Sequence, residues 1–232
     1  MNVKLVIFDL DGTLADTLED LKSGVNHAMV RLGRPTVTVE QVRKYVGDGA
    51  RSLLLRSMGE GAGQEDLDAA FANFMSYYSV HFLDQTRLYP GVVDTIDVLA
   101  PHMQMTVLSN KSESLSRSVL EGLGILHRFS AVYGGDSFAV RKPDPAGFRQ
   151  IISAMRIPPD EALVVGDSAN DIVGGKNAGA ITCGVLYGFR PEEVLHSNPD
   201  MTIHAMKELP VALRSYKHGS WSTIDSLKRT AD

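Results

Sequence analysis

Four aspartates stand where short apolar runs give out. Asp9 and Asp11 follow Leu5-Val6-Ile7-Phe8, and Asp167 and Asp171 follow Ala162-Leu163-Val164-Val165-Gly166. Ser109-Asn110-Lys111 closes another such run, and Lys142 lies in Arg141-Lys142-Pro143-Asp144-Pro145, just ahead of a helix whose start the prolines fix. Carboxylates gathered in one crevice repel one another, each raising its neighbour's pKa, unless a cation sits among them. Oxygen donors without a nearby His or Cys favour a hard divalent ion such as Mg²⁺, which takes one or two carboxylates, a substrate phosphate and water. Asp9 and Asp11 alternate along an extended backbone, so they face opposite ways and can hold different jobs. Phosphoryl transfer needs in-line attack, neutralised equatorial oxygens and a protonated leaving alkoxide. These residue types meet all three needs. Asp9 is the expected carboxylate nucleophile and Asp11 the general acid and later base. Ser109, Lys142 and loop amides are the expected clamp on the transferring group. Asp167 is expected to hold the metal, with Asp171 orienting it or Lys142.

These groups work together only if a scaffold gathers them. Val3 to Phe8 is an almost continuous apolar run rich in β-branched residues, the pattern of a strand buried on both faces of a parallel sheet. Met105–Leu108, Ala131–Tyr133, Ala162–Val165 and Thr182–Val185 share its character. Helical patterns over Ser112–Leu123, Ala146–Met155 and Ala169–Ala178 separate them, which predicts a doubly wound, mainly parallel α/β sheet of Rossmann-like design. Ligands of such sheets bind beyond the carboxyl ends of the strands, where the aspartates lie.

The alternation is missing from Asp16 to about Arg87. Leu18, Leu21, Val25, Met29 and Leu32 form a helical stripe ended by Gly33 and Pro35. Helices are then expected over Val39–Val46, Ala50–Met58 and Gln64–Leu83, before Tyr89-Pro90-Gly91 restores the α/β pattern. The expected organisation is a core of residues 1–15 and 87–214, an inserted all-helical cap over 16–86, and a polar tail over 215–232 containing Trp221 and Leu227. Arg51 follows the Gly47-Asp48-Gly49 break. Either that break is punctuation between helices, or its arginine reaches a substrate carboxylate in a bidentate grip.

Composition narrows the field. A chain of 232 residues with 44% hydrophobic and 22% charged residues buries a proper core, which argues against disorder. A net charge of −5 lacks the basic excess of a nucleic-acid or anionic-membrane binder. A single cysteine, Cys183, cannot form an internal disulfide or a Cys-rich metal site and is expected to be an inert core thiol. The seven histidines show no metal-ligand spacing. Asp9 and Asp11 interrupt the N-terminal apolar run too early for an export signal, and no stretch is long enough to span a membrane, so a cytoplasmic monomer or homodimer is expected.

The ordered set Asp9-x-Asp11-Gly12-Thr13, Ser109, Lys142 and Gly166-Asp167 through Asp171 resembles the haloacid dehalogenase superfamily of phosphohydrolases. Further segments are similar to its phosphoglycolate phosphatase-like members, namely Leu14-Ala15-Asp16-Thr17, Val46-Gly47-Asp48-Gly49-Ala50-Arg51, Ser109-Asn110-Lys111, Gly134-Gly135-Asp136 and Tyr187-Gly188. That resemblance covers nearly everything up to Leu213 and implies a helical cap after the first strand. It also implies Mg²⁺ held by the Asp9 carboxylate, the Asp11 main-chain carbonyl and Asp167, with Ser109, Asn110, Lys142 and Arg51 meeting a small phosphorylated metabolite such as 2-phosphoglycolate. Ser109 and Ser112 stand where many phosphoglycolate phosphatases carry Thr and Pro, a change that keeps the hydroxyl at 109. A dehalogenase would lack the second acid, so Asp11 argues against that chemistry. A β-phosphoglucomutase-like sugar-phosphate enzyme is the nearer alternative; a non-catalytic binding protein would show eroded motifs, and every charged position here is intact.

Overall fold

The computed structural model describes residues 3–216. Its first strand, β1 (Leu5–Phe8), is buried at every position. Leu5 and Ile7 pack into the apolar cluster on one face of the sheet, Val6 and Phe8 into the cluster on the other, as the two-residue period of a strand requires. Burying each such side chain is worth about 1.5–3 kcal/mol.

The chain then turns into β2 (Ala15–Asp16) and runs through α1 (Leu18–Arg31), α2 (Val39–Tyr45), α3 (Ala50–Met58) and α4 (Gln64–His81). It returns through β3 (Arg87–Leu88), which pairs antiparallel with β2, Ala15 opposite Leu88 and Asp16 opposite Arg87. Beyond it come α5 (Val92–Leu99), β4 (Gln104–Leu108), α6 (Glu113–Gly122), β5 (Ala131–Tyr133), α7 (Ala146–Ala154), β6 (Ala162–Gly166), α8 (Ala169–Asn177), β7 (Ile181–Val185), α9 (Pro191–His196), β8 (Met201–Ile203) and α10 (Leu209–Ser215).

The main sheet is wholly parallel, in the order β5-β4-β1-β6-β7-β8. β4 and β5 lie on one side of β1, and β6, β7 and β8 on the other. The crevice of this doubly wound sheet therefore opens at the carboxyl end of β1.

The helices α1 to α4 have an apolar cluster of their own, centred on Leu21, Val25, Met29, Leu54 and Phe74. α2 starts with a capping box: the Gln41 amide N–H donates to Thr38 Oγ1 at 3.3 Å and the Thr38 amide donates to Gln41 Oε1 at 2.8 Å. Asp20, in the first turn of α1, is buried and clips the returning chain. It accepts from the Gln85 amide at 2.9 and 3.0 Å, the Thr86 amide at 2.9 Å and the Thr86 hydroxyl at 2.8 Å.

Three details differ from the sequence reading. β8 is an edge strand of three residues, too short for alternation to announce it. Asp16 and Arg87, expected to bound a strand-free stretch, belong to the two-residue ribbon β2–β3, held by pairing rather than by a pattern of its own. α10 runs to Ser215, where the polar tail was expected to begin, while Trp221 and Leu227 lie outside the described residues. Among the described residues no helix is long and apolar enough to cross a membrane, and Cys183 is buried in β7 as a free thiol.

Candidate active site

Asp9 is the first residue beyond β1, and its amide donates to the Val165 carbonyl of β6 at 2.9 Å, so the sheet itself sets its position. The next turn is tight: the Leu14 and Ala15 amides both donate to the Leu10 carbonyl at 3.0 Å. Gly12 adopts φ +85°, and a β-carbon there would meet Asp167 Oδ2 at 2.1 Å. Only glycine allows both the turn and the approach of the second acidic strand end. Asp167 follows β6 and accepts from the Phe189 amide at 2.7 Å. Asp171, in the first turn of α8, accepts from the amide and hydroxyl of Ser168 at 3.2 and 2.6 Å.

Lys142 joins these pieces. Its ammonium contacts the Leu108 carbonyl at 2.7 Å, Asp171 Oδ1 at 2.7 Å and Asp9 Oδ1 at 2.8 Å, one partner for each of its three hydrogens. Asn110 holds the backbone of this lysine from both sides, accepting from its amide at 3.1 Å and donating to its carbonyl at 3.0 Å. Ser109 follows β4 and lies buried at the cavity, with its hydroxyl oxygen accepting from the Lys111 amide at 3.2 Å.

The carboxylates of Asp9, Asp167 and Asp171 each bring an oxygen within 4.8 Å of the others. Three carboxylates against one ammonium would, fully ionised, leave two negative charges in a buried place. Burial pushes the Asp9 carboxyl up to about 7; Lys142 opposes that rise, and Asp171 and Asp11 add to it. Burial, then Asp9 and Asp171, hold Asp167 well above the ordinary range as well. On Lys142 burial works against the charge, yet Asp171 and Asp9 overcome it and hold the ammonium protonated more firmly than usual. A surplus of two negative charges with oxygen-only donors fits a hard divalent cation.

Asp11 faces elsewhere. Its carboxylate accepts from Thr17 Oγ1 at 2.6 Å and pairs with Lys111 Nζ at 3.0 Å. Lys111 also donates to the hydroxyl of Tyr78, a buried residue of α4, at 3.0 Å. The sequence alone assigns Lys111 no role, because a buried lysine and a solvated one look alike there.

A cavity of about 380 Å³ lies over these groups, between the strand ends and the helices α1, α3 and α4. Asp9, Asp11, Ser109 and Asp167 form part of its wall, and Leu53, Phe71, Phe74 and Tyr78 face them from the helices. The Gly47–Gly49 loop closes one side: Asn110 and Asn170 donate to the Gly47 carbonyl at 2.8 and 3.3 Å, and Asn170 donates to Asp48 at 2.7 Å. Asn110, expected to touch substrate, thus commits its amide to the protein. Arg51 lies within α3 rather than in the loop. It lines the cavity, but its head pairs with Asp68 at 2.7 Å and stacks over the Phe71 ring at 4.7 Å. Arg141, to which the sequence alone assigns no role, lines the cavity too.

Residues 6–185 match the haloacid dehalogenase-like hydrolase family. Phosphoglycolate phosphatase 1 of Pseudomonas aeruginosa is 37% identical over 216 residues, covering 89% of this chain and 78% of its own. A phosphoglycolate phosphatase of Vibrio parahaemolyticus is 37% identical over 216 residues, covering 90% of this chain and 95% of its own. Among solved structures, a predicted phosphoglycolate phosphatase from Haemophilus somnus superposes with a TM-score of 0.87 at 30% identity, covering 91% of this chain and 98% of that one. The match over most of the chain agrees with the parallel sheet and its acidic strand ends: the chain belongs to the haloacid dehalogenase-like hydrolase family, as a phosphatase similar to its phosphoglycolate phosphatases.

Proposed function

We propose that this chain is a Mg²⁺-dependent phosphomonoester hydrolase acting through an aspartyl-phosphate, with 2-phosphoglycolate as the first substrate to test. The observation that carries the reading is Asp9, a buried carboxylate at the carboxyl end of β1, 2.8 Å from the Lys142 ammonium and facing the cavity. The names of the relatives supply the substrate.

In this reading an Asp9 carboxylate oxygen attacks phosphorus as the ester P–O bond breaks, and the departing alkoxide takes the proton from the Asp11 carboxyl. The Asp11 carboxylate then accepts a proton from water. That water attacks phosphorus, breaks the Asp9–phosphorus bond and releases inorganic phosphate. Lys142 and the Ser109 hydroxyl stabilise charge on the transferring group, while Lys111 and Thr17 hold the Asp11 side chain in place. The Asp9 and Asp167 carboxylates and the Asp11 main-chain carbonyl would hold Mg²⁺, which when bound would neutralise charge on the phosphoryl oxygens. Asp171 fixes Lys142 through their 2.7 Å contact. In domain terms, residues 1–15 and 87–214 are the catalytic core and 16–86 the cap that encloses the substrate and excludes water.

Phosphate release from 2-phosphoglycolate, sugar phosphates and nucleotides, with Mg²⁺ and with EDTA, tests the proposal. Mg²⁺-dependent release that Asp9→Asn abolishes supports it. Turnover by a clean Asp9→Asn preparation refutes the nucleophile, and isomerised hexose phosphate in place of free phosphate would favour a mutase.

A further inference from the structure

Arg51, Lys111, Arg141 and Arg190 bring cationic heads to the cavity wall. Three are already matched with acids: Arg51 with Asp68 at 2.7 Å, Lys111 with Asp11 at 3.0 Å, and Arg190 with Glu193 at 3.3 Å. Arg141 has no acidic partner among the described residues. Its side-chain hydrogen bond is from Nε to the Gly135 carbonyl, at 2.9 Å, and among the described residues the two terminal amino groups of the guanidinium meet no acceptor.

The head is nonetheless held in place. A β-carbon at Gly49 would meet Arg141 Nη1 at 2.9 Å, and one at Gly135 would meet Nε at 3.0 Å, so the guanidinium lies between the loop that opens α3 and the loop after β5. Its chain neighbour is Lys142, whose amide and carbonyl Asn110 fixes. The phosphate clamp and this spare guanidinium are consecutive residues on one pinned segment. Such a planar fork matches a carboxylate in a bidentate manner.

Building on the phosphatase reading, we propose that Arg141 recognises a second anionic group, a carboxylate, on the alcohol portion of the phosphomonoester. Substrate choice then rests on the residue next to the phosphate lysine, with Arg51 retained by Asp68. Because Arg141 is exposed, solvent trims its contribution, and the expected preference for a carboxylated ester is about tenfold.

Asp9→Asn removes the nucleophile, so bound esters persist and calorimetry in Mg²⁺ can compare 2-phosphoglycolate with ethyl phosphate, which lacks the carboxylate. The inference expects about tenfold tighter binding of phosphoglycolate. Adding Arg141→Met should erase that preference while ethyl phosphate binding changes less than about twofold, and Arg141→Lys should keep only part of it. Equal affinity for the two esters before the second change, survival of the preference in Arg141→Met, or equal weakening of both ligands would each overturn it. Phosphate release by the unmodified enzyme is followed separately. If 2-phosphoglycolate is not hydrolysed, the proposed substrate fails, while the binding comparison still decides the role of Arg141.

Discussion

Raising the pH in the absence of metal should weaken the fold, and the site explains by how much. The Asp9 carboxyl keeps its proton to about pH 7 in the folded chain, against an ordinary value of 3.8. Across that window the folded chain binds one more proton at this residue than the unfolded chain does. Stability is therefore highest below the unfolded value and falls as pH rises through the folded one. At about 1.4 kcal/mol per pH unit, the full window is worth about 4 kcal/mol, of which about 3 kcal/mol lies above pH 5. Asp167 shifts in the same direction and adds to the slope. The assay is urea unfolding in EDTA at intervals from about pH 5 to pH 8, for the natural chain and for Asp9→Asn; the difference between them reports this carboxyl together with its effect on Asp167 and removes the titration of distant groups. Asp9→Asn should gain on the natural chain by about 3 kcal/mol across the range. Mg²⁺ should then restore stability to the natural chain most strongly at the alkaline end, where the carboxylates that bind it are ionised. A flat difference, or a natural chain that gains on the variant as pH rises, would refute the argument that burial and neighbouring acids govern this site.

Lys142→Met leaves three buried carboxylates without their ammonium. It should cost about 3–5 kcal/mol at pH 8 in urea unfolding, with the loss shrinking toward pH 5 as Asp9 and Asp167 take up protons. Asp20→Ala removes the acceptor for Gln85 and Thr86, and should destabilise the chain by about 2–4 kcal/mol, a fall in Tm of roughly 5–12 °C by calorimetry. Gly12→Ala combines φ +85° with a β-carbon 2.1 Å from Asp167 Oδ2. Its phosphate release should fall by about a hundredfold and need more Mg²⁺ for half-maximal rate; a near-normal metal requirement would show that Asp167 does not depend on that glycine.

Much of the sheet was legible because its strands are buried on both faces. Continuous β-branched runs such as Leu5–Phe8 leave few other interpretations, and the acids that end them stand out against that background. The short ribbon β2–β3 was not legible, since pairing between residues more than seventy positions apart leaves no local pattern. Asp20 was hidden for a different reason: an acid in the first turn of a helix already has an ordinary explanation in the helix dipole, so its buried contacts with residues 85 and 86 went unsuspected. Arg51 and Asn110 were singled out by position in a motif, but where a long or amide side chain ends is decided by tertiary neighbours, Asp68 for one and Lys142 for the other. Lys111 and Arg141 were passed over because the sequence does not show which cation finds an acid.

The ribbon β2–β3 has a consequence for modularity. The four helices leave the sheet at Asp16 and return at Arg87, two residues that face each other across an antiparallel pair. Such a pair is what a hairpin turn joins, so the whole helical segment behaves as a cassette plugged into a hairpin socket. Replacing it by a two-residue Asn-Gly connection asks nothing of the parallel strand registers, and a cassette of another length fits the same socket at little extra entropic cost, since closure entropy grows only logarithmically with loop length. Exchange of the insert can thus reshape the helical wall of the cavity while Asp9, Lys142 and Asp167 stay where the sheet and its loops hold them.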